Sequence, residues 1–171
     1  EAINLYKIKS GRQWLSVSHR LILDRKILLI STRNDNLSLR MRIPETGIYC
    51  FTDADGREQK LRVELTEWKN GSVVSREQSC VMLDASRGTF PLTLRYAARG
   101  DRFVPFGMRG SKLVSDFLTD QKRTIIEKER QLVVENANGD IIWLVNNRLD
   151  NRYRITVQTK KVMSLSITYD L

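Results

Sequence analysis

In the segment Leu61 to Trp68, apolar and polar side chains alternate as far as Thr66. A period of two puts one set on one face of a strand and the other set on the opposite face, whereas a helix would scatter both around its axis. The segment lies between Asp53-Ala-Asp-Gly56 and Asn70-Gly71. Asp-Gly and Asn-Gly steps accept positive φ at little cost, so each predicts a tight hairpin turn. The upstream runs Gln13 to Val17, Leu21 to Asp24, Lys26 to Thr32 and Gly47 to Thr52 are also short and β-prone, with polar breaks between them. Together they predict an antiparallel meander over residues 1–91. Leu5, Ile8 and the stop at Gly11 equally fit the end of a helix that begins earlier.

The character changes after Pro91. A strand is expected at Leu92 to Tyr96, then a shaped loop, Arg99-Gly-Asp-Arg-Phe-Val-Pro-Phe-Gly-Met-Arg-Gly110. Ser111 is placed to cap a helix through Leu118, with Leu113, Val114, Phe117 and Leu118 on one face and Asp120 at its end. Gln131 to Glu135 and Asp140 to Val145 form a hairpin across Asn136-Ala-Asn-Gly139, and strands at Tyr153 to Val157 and Val162 to Thr168 complete the sheet. The expected class is α+β: a β-rich unit, 1–91, followed by a small α+β domain, 92–171, with a mainly antiparallel sheet and one or two short helices.

The chain has 29 Lys plus Arg against 20 Asp plus Glu, a net charge of +9, and is 41% hydrophobic. That is enough apolar material for a core. No apolar run approaches the roughly 20 residues that span a bilayer, so no membrane partner is expected. Cys50 and Cys80 offer no CxxC spacing and fit a reducing, cytoplasmic setting. His19 is the one histidine, which removes a histidine metal cluster and leaves a structural role as its simplest reading. Neither GxxxxGK[ST] nor a strand-linked GxGxxG is present. The acidic pairs Asp53/Asp55 and Glu127/Glu129 fit turns and solvated faces, so no catalytic, cofactor or metal residue is assigned. The opening Glu1 suggests a trimmed product or a piece of a longer chain.

What stands out is the loop. Arg95, Arg99, Arg102, Arg109 and Lys112 surround a Gly-rich turn that contains one anion, Asp101, with Phe103 and Phe106 interleaved. Forked guanidinium donors and closely approaching backbone N–H groups suit a phosphate backbone. Phe103, Pro105 and Phe106 read first as core plugs.

The run Gly100-Asp-Arg-Phe-Val-Pro-Phe-Gly-Met-Arg-Gly-Ser-Lys112, with Ser115-Asp-Phe-Leu-Thr-Asp120, closely resembles the C-terminal domain of tRNA(Ile)-lysidine synthetases. The likeness continues through Glu127-Lys-Glu-Arg130, Ile141-Ile-Trp-Leu-Val145 and Arg148-Leu-Asp-Asn-Arg-Tyr-Arg-Ile155, and so covers residues 92–168. Ser18-His-Arg-Leu-Ile-Leu-Asp24, Leu83-Asp-Ala85 and Pro91-Leu-Thr-Leu-Arg95 resemble the middle region of Bacteroidetes-type members. Asn146 departs from a common glycine, and Leu132 lies near where many members carry proline. Asn is the tolerable replacement if φ is positive there.

The resemblance implies a part of an enzyme that uses ATP to attach lysine to the wobble cytidine of tRNA(Ile) with a CAU anticodon. In that family adenylation and lysine attack belong to an N-terminal domain carrying an SGGxDS loop, a motif not found in these 171 residues. The expected partners are the acceptor-stem side of tRNA(Ile) and the catalytic domain in cis, with a homodimer as a further option. ATP would bind in the catalytic domain. The residues expected to hold tRNA are Arg99, Arg102, Arg109, Lys112, Arg148 and Arg152. The competing expectation is a module that docks against the catalytic domain without touching RNA.

Overall fold

The computed structural model describes residues 9–33, 38–69, 73–75 and 77–169. The expected turn at Asn70-Gly71 and the expected helix before Gly11 fall, wholly or mostly, outside them. The strands are β1 (Gln13–Leu15), β2 (His19–Asp24), β3 (Ile27–Thr32), β4 (Arg40–Ile43), β5 (Gly47–Thr52), β6 (Glu58–Glu67), β7 (Cys80–Asp84) and β8 (Leu92–Tyr96). Six more follow: β9 (Arg102–Phe103), β10 (Lys112–Leu113), β11 (Leu132–Glu135), β12 (Ile141–Leu144), β13 (Arg148–Leu149) and β14 (Lys161–Tyr169). Two short helices, α1 (Val114–Asp120) and α2 (Ile125–Glu129), lie between β10 and β11. The α+β class with antiparallel sheets is as expected.

A five-stranded sheet, β13-β12-β11-β8-β4, and a four-stranded sheet, β5-β6-β14-β7, share one core. Leu61 and Val63 from β6, Leu83 from β7, Leu165 from β14, and Leu94 and Ile142 from the larger sheet fill it. The alternation that marked the Leu61 strand is visible in its burial, with Gln59, Leu61 and Val63 inward and their neighbours wetter. The Asp53–Gly56 turn also forms: Asp53 Oδ1 accepts from the N–H groups of Asp55 and Arg57, and Gly56 takes φ +80°.

The larger sheet is covered on its other face too. There Val133, Ile141 and Leu144 meet Val114, Phe117 and Leu118 from α1, and Phe103 stacks edge-on against Phe117 at 5.1 Å. Burial on both faces explains why Leu132-Val-Val134 and Ile141-Ile-Trp-Leu-Val145 are apolar throughout and do not alternate. Phe103 is the core plug its sequence suggested; Phe106 is not, being 49% exposed.

Several elements differ from expectation. The helix begins at Val114 with Leu113 at its N-cap, so it has no side-chain cap; Ser111, two residues earlier, accepts from Arg102. The helix α2 and the strand β4 were not foreseen. In place of a strand at Tyr153 to Val157 there is a 3-10 turn, Asn151–Tyr153, capped by Asp150. Strand pairing also ignores a division after residue 91: β4 pairs with β8, and β14 lies between β6 and β7. The third sheet, β1-β2-β3, joins this body through Arg20 to Glu129, Arg130 to Ser31 (3.1 Å), and the Ile125 N–H to Asp24 (3.2 Å).

Candidate nucleic-acid interface

Beyond β8 the chain turns through Ala97 to Gly100, and Arg95 closes that turn from within. Its guanidinium donates to both oxygens of Asp101, at 2.7 and 3.1 Å, and to Glu135 on the adjacent strand. Burial opposes the charge on Arg95, but the two carboxylates outweigh it and hold its pKa above the ordinary value. Asp101 is thus committed to Arg95. Arg102 lies exposed on β9 and donates to the Oγ and backbone O of Ser111, each at 3.2 Å.

The next stretch, 104–108, is stitched to residues 149–151. The Phe106 N–H donates to Leu149 O at 2.9 Å, and the Asn151 N–H donates to Val104 O at 2.7 Å. Asn151 adds its side chain, accepting from the Gly107 N–H (3.2 Å) and donating to Met108 O (3.1 Å). At the centre lies Asp150, with no solvent exposure. It accepts from the N–H groups of Val104 (2.8 Å) and Arg152 (2.9 Å), and from the Arg152 guanidinium at 3.0 and 2.9 Å. Four convergent donors are what a buried carboxylate requires.

Arg152 also reaches Asp140 at 3.0 Å, and its pKa is held well above the ordinary range, first by the hydrogen bonding to Asp150. Tyr153, beside it, donates to Asp140 and accepts from Asn136, the buried residue of the β11–β12 turn. The pKa of Asp140 stays low: burial opposes its charge, but Tyr153 and Arg152 more than compensate.

The six arginines and lysines expected to hold RNA therefore share one region but not one state. Arg99, Arg109 and Arg148 are exposed and have no hydrogen-bond or ion-pair partner among the described residues. Arg102 is exposed and steadied by Ser111. Lys112 is paired with Asp120, and Arg152 is locked between Asp140 and Asp150.

Two cations went unread in the sequence. Lys122 and Arg123, in the turn between α1 and α2, line with Arg148 a polar groove of about 430 Å³. Arg123 is tied to Glu127 at 3.0 Å, while Lys122 is exposed at a left-handed φ of 60°. The adjacent Lys-Arg step just past the Asp120 stop was the available signal. Asn146 has φ 57°, the positive value that its replacement of glycine implied. Among the described residues, no group of three His, Cys, Asp or Glu could hold a metal ion, and no helix is long and apolar enough to cross a membrane.

The chain is similar to tRNA(Ile)-lysidine synthase of Parabacteroides distasonis, 36% identical over 155 residues, which are 90% of this chain and 34% of the relative. The tRNA(Ile)-lysidine synthase of Bacteroides thetaiotaomicron is 35% identical over 92% of this chain and 33% of its own length. The chain thus spans about a third of the length of these relatives. Its fold is similar to the crystal structure of a TILS C-terminal domain, with a TM-score of 0.62 over 77% of this chain and 98% of that one, at 19% identity. No family model matches the chain.

Proposed function

From the premise that this chain is homologous over nine-tenths of its length to the tRNA(Ile)-lysidine synthases, we propose that it is the C-terminal, tRNA-holding portion of such an enzyme. The parent would be an ATP-dependent ligase that joins lysine to the wobble cytidine of tRNA(Ile) with a CAU anticodon. ATP and the chemistry would lie in a domain with the SGGxDS loop, so these residues are expected to bind and not to catalyse. The ligand surface proposed is the acceptor-stem side of tRNA.

The observation that carries the proposal is the set of unpaired guanidinium groups, Arg99, Arg109 and Arg148, around a loop whose backbone is fixed by Asp150 and Asn151. Fixed loops with free arginines favour phosphate contact without base reading. Binding of unmodified tRNA(Ile) across a salt series tests it. Replacing Arg99, Arg109 or Arg148 with Ala should weaken cognate and non-cognate tRNA alike and lower the log-log salt slope by about 0.7 to 0.9 per lost phosphate contact. Arg152→Ala should lower the melting temperature. Unchanged slopes in all three free-arginine variants would remove the loop from the RNA surface.

A second reading, docking against the rest of a longer synthase, draws on the outward apolar residues Leu15, Val17 and Ile30, which are 62, 97 and 72% exposed. Salt-insensitive association with the separately produced remainder, together with no tRNA binding, would favour it.

A further inference from the structure

The three-stranded sheet uses one face to join the body and leaves the other open. Residues opposite one another across antiparallel strands share a face. Leu15, Arg20 and Ser31 therefore form one row, and Trp14, Leu21 and Ile30 form a row on the opposite face. The first face meets the body through Arg20, Asp24 and Ser31. The second carries Trp14, Leu21, Leu23, Leu28 and Ile30, of which Leu28 is 40% and Ile30 72% exposed. None of these five belongs to either hydrophobic cluster of the body. Cations surround them: residues 9–33 hold six Lys or Arg against one carboxylate, Asp24, which is engaged on the other face. The Arg12 guanidinium lies over the Trp14 ring, 5.5 Å from its centre.

We propose that this open face receives an amphipathic helix, apolar on one side and edged with Asp or Glu, from the rest of the longer synthase. The inference rests on reading this chain as a portion of such an enzyme, and it gives docking and RNA holding separate surfaces of one chain. Three strands at about 4.8 Å and six residues at about 3.3 Å make a face of about 14 by 20 Å. That is the footprint of one helix, about 10 Å across, over three to four turns. A second copy seated here would bury about 300 Å² per partner, against about 800 Å² in a standard interface. The face is thus too small to hold a free partner, whereas a covalently tethered helix meets it at an effective concentration of about millimolar. The chain spans about a third of the length of its relatives, so the rest of such an enzyme has sequence to supply the helix. Acidic edges on that helix would answer the cations around the face.

The test compares the full-length synthase with this 171-residue chain by hydroxyl-radical footprinting. Trp14, Leu28 and Ile30 should lose most of their labelling in the full-length enzyme and keep it in the chain alone. Ile30→Asp should return Trp14 and Leu28 of the full-length enzyme to the labelling of the chain alone, while leaving the chain's melting temperature and its salt slope for tRNA unchanged. Ile30→Val should keep the protection. Arg12→Glu with Lys26→Glu should weaken it, and protection unmoved by that pair would overturn the acidic edges. Equal labelling of the two forms would overturn the docking face. Protection that appears in the chain alone as its concentration rises would overturn it in favour of a second copy. Protection in a full-length enzyme that binds tRNA without salt dependence would support the docking face and overturn the phosphate surface, so the two fail separately.

Discussion

At Asp150 a fully buried carboxylate gathers the backbone of one segment and the side chain of another. Replacing it with Ala would leave the Val104 N–H without its acceptor and Arg152 with Asp140 alone. Breaking such a set costs about 2 to 4 kcal/mol, between the cost of an unmade buried hydrogen bond and that of a broken buried ion pair. Asp150→Ala should therefore lower the melting temperature by many degrees, measured by circular dichroism, and weaken RNA binding through disorder of residues 104–108. If melting is unchanged, Asp150 is not the loop's anchor. The run Arg148-Leu-Asp-Asn-Arg-Tyr-Arg was visible as a unit in the sequence, but which of its charges stay free and which are paired within the chain was not. Arg148 and Arg152 are the same residue type four positions apart, and what separates their roles is the buried Asp150 and the tertiary approach of Asp140, which both hold Arg152.

Among the elements, α2 shows how a short helix is held and why it was overlooked. Five residues give too little periodicity to read, yet Thr124 and Glu127 form a reciprocal capping box: the Thr124 hydroxyl accepts from the Glu127 N–H at 3.2 Å, and the Glu127 carboxylate accepts from the Thr124 N–H at 2.7 Å. That backbone hydrogen bond is the first cause of Glu127's lowered pKa, with burial acting against it. A carboxylate whose pKa is depressed on folding stabilises the protein above its unfolded value, here 4.5, and that contribution is lost as pH falls through the lower folded value. Glu127→Ala should cost about 1 kcal/mol at neutral pH and less at about pH 3, by urea unfolding. An equal cost at both values would separate the cap from Glu127's charge. By contrast, the β11–β12 hairpin was readable because Asn136-Ala-Asn-Gly139 is turn chemistry between two apolar runs, and Gly139 indeed takes φ +87°. The strand β4 was not, since Arg40-Met-Arg-Ile43 becomes a strand only through its pairing with β8.

For the molecule as a whole, the arrangement of sheets decides what can be separated. A division after residue 91 follows the change in sequence character, but β8 takes β4 as its edge partner, and β14 pairs along its whole length with β6. Residues 92–171 made alone would expose both edges of β14 and one face of the shared core. Such a fragment is expected to lack a cooperative thermal transition, and limited proteolysis of the full chain near Arg87 or Arg95 should not release a stable product of about 75 to 80 residues. A sharp melt from the isolated fragment would restore the two-unit division. Long-range pairing of this kind leaves no local trace, which is why composition and spacing indicated the strands but not their neighbours.

The seat of β14 between β6 and β7 also sets a schedule for biosynthesis. During translation both of those strands emerge well before residues 161–169, and each must wait with an open hydrogen-bonding edge. The four-stranded sheet closes only when β14 has left the ribosome, so a chain that lacks β14 carries two sticky edges, fit for a chaperone or a protease.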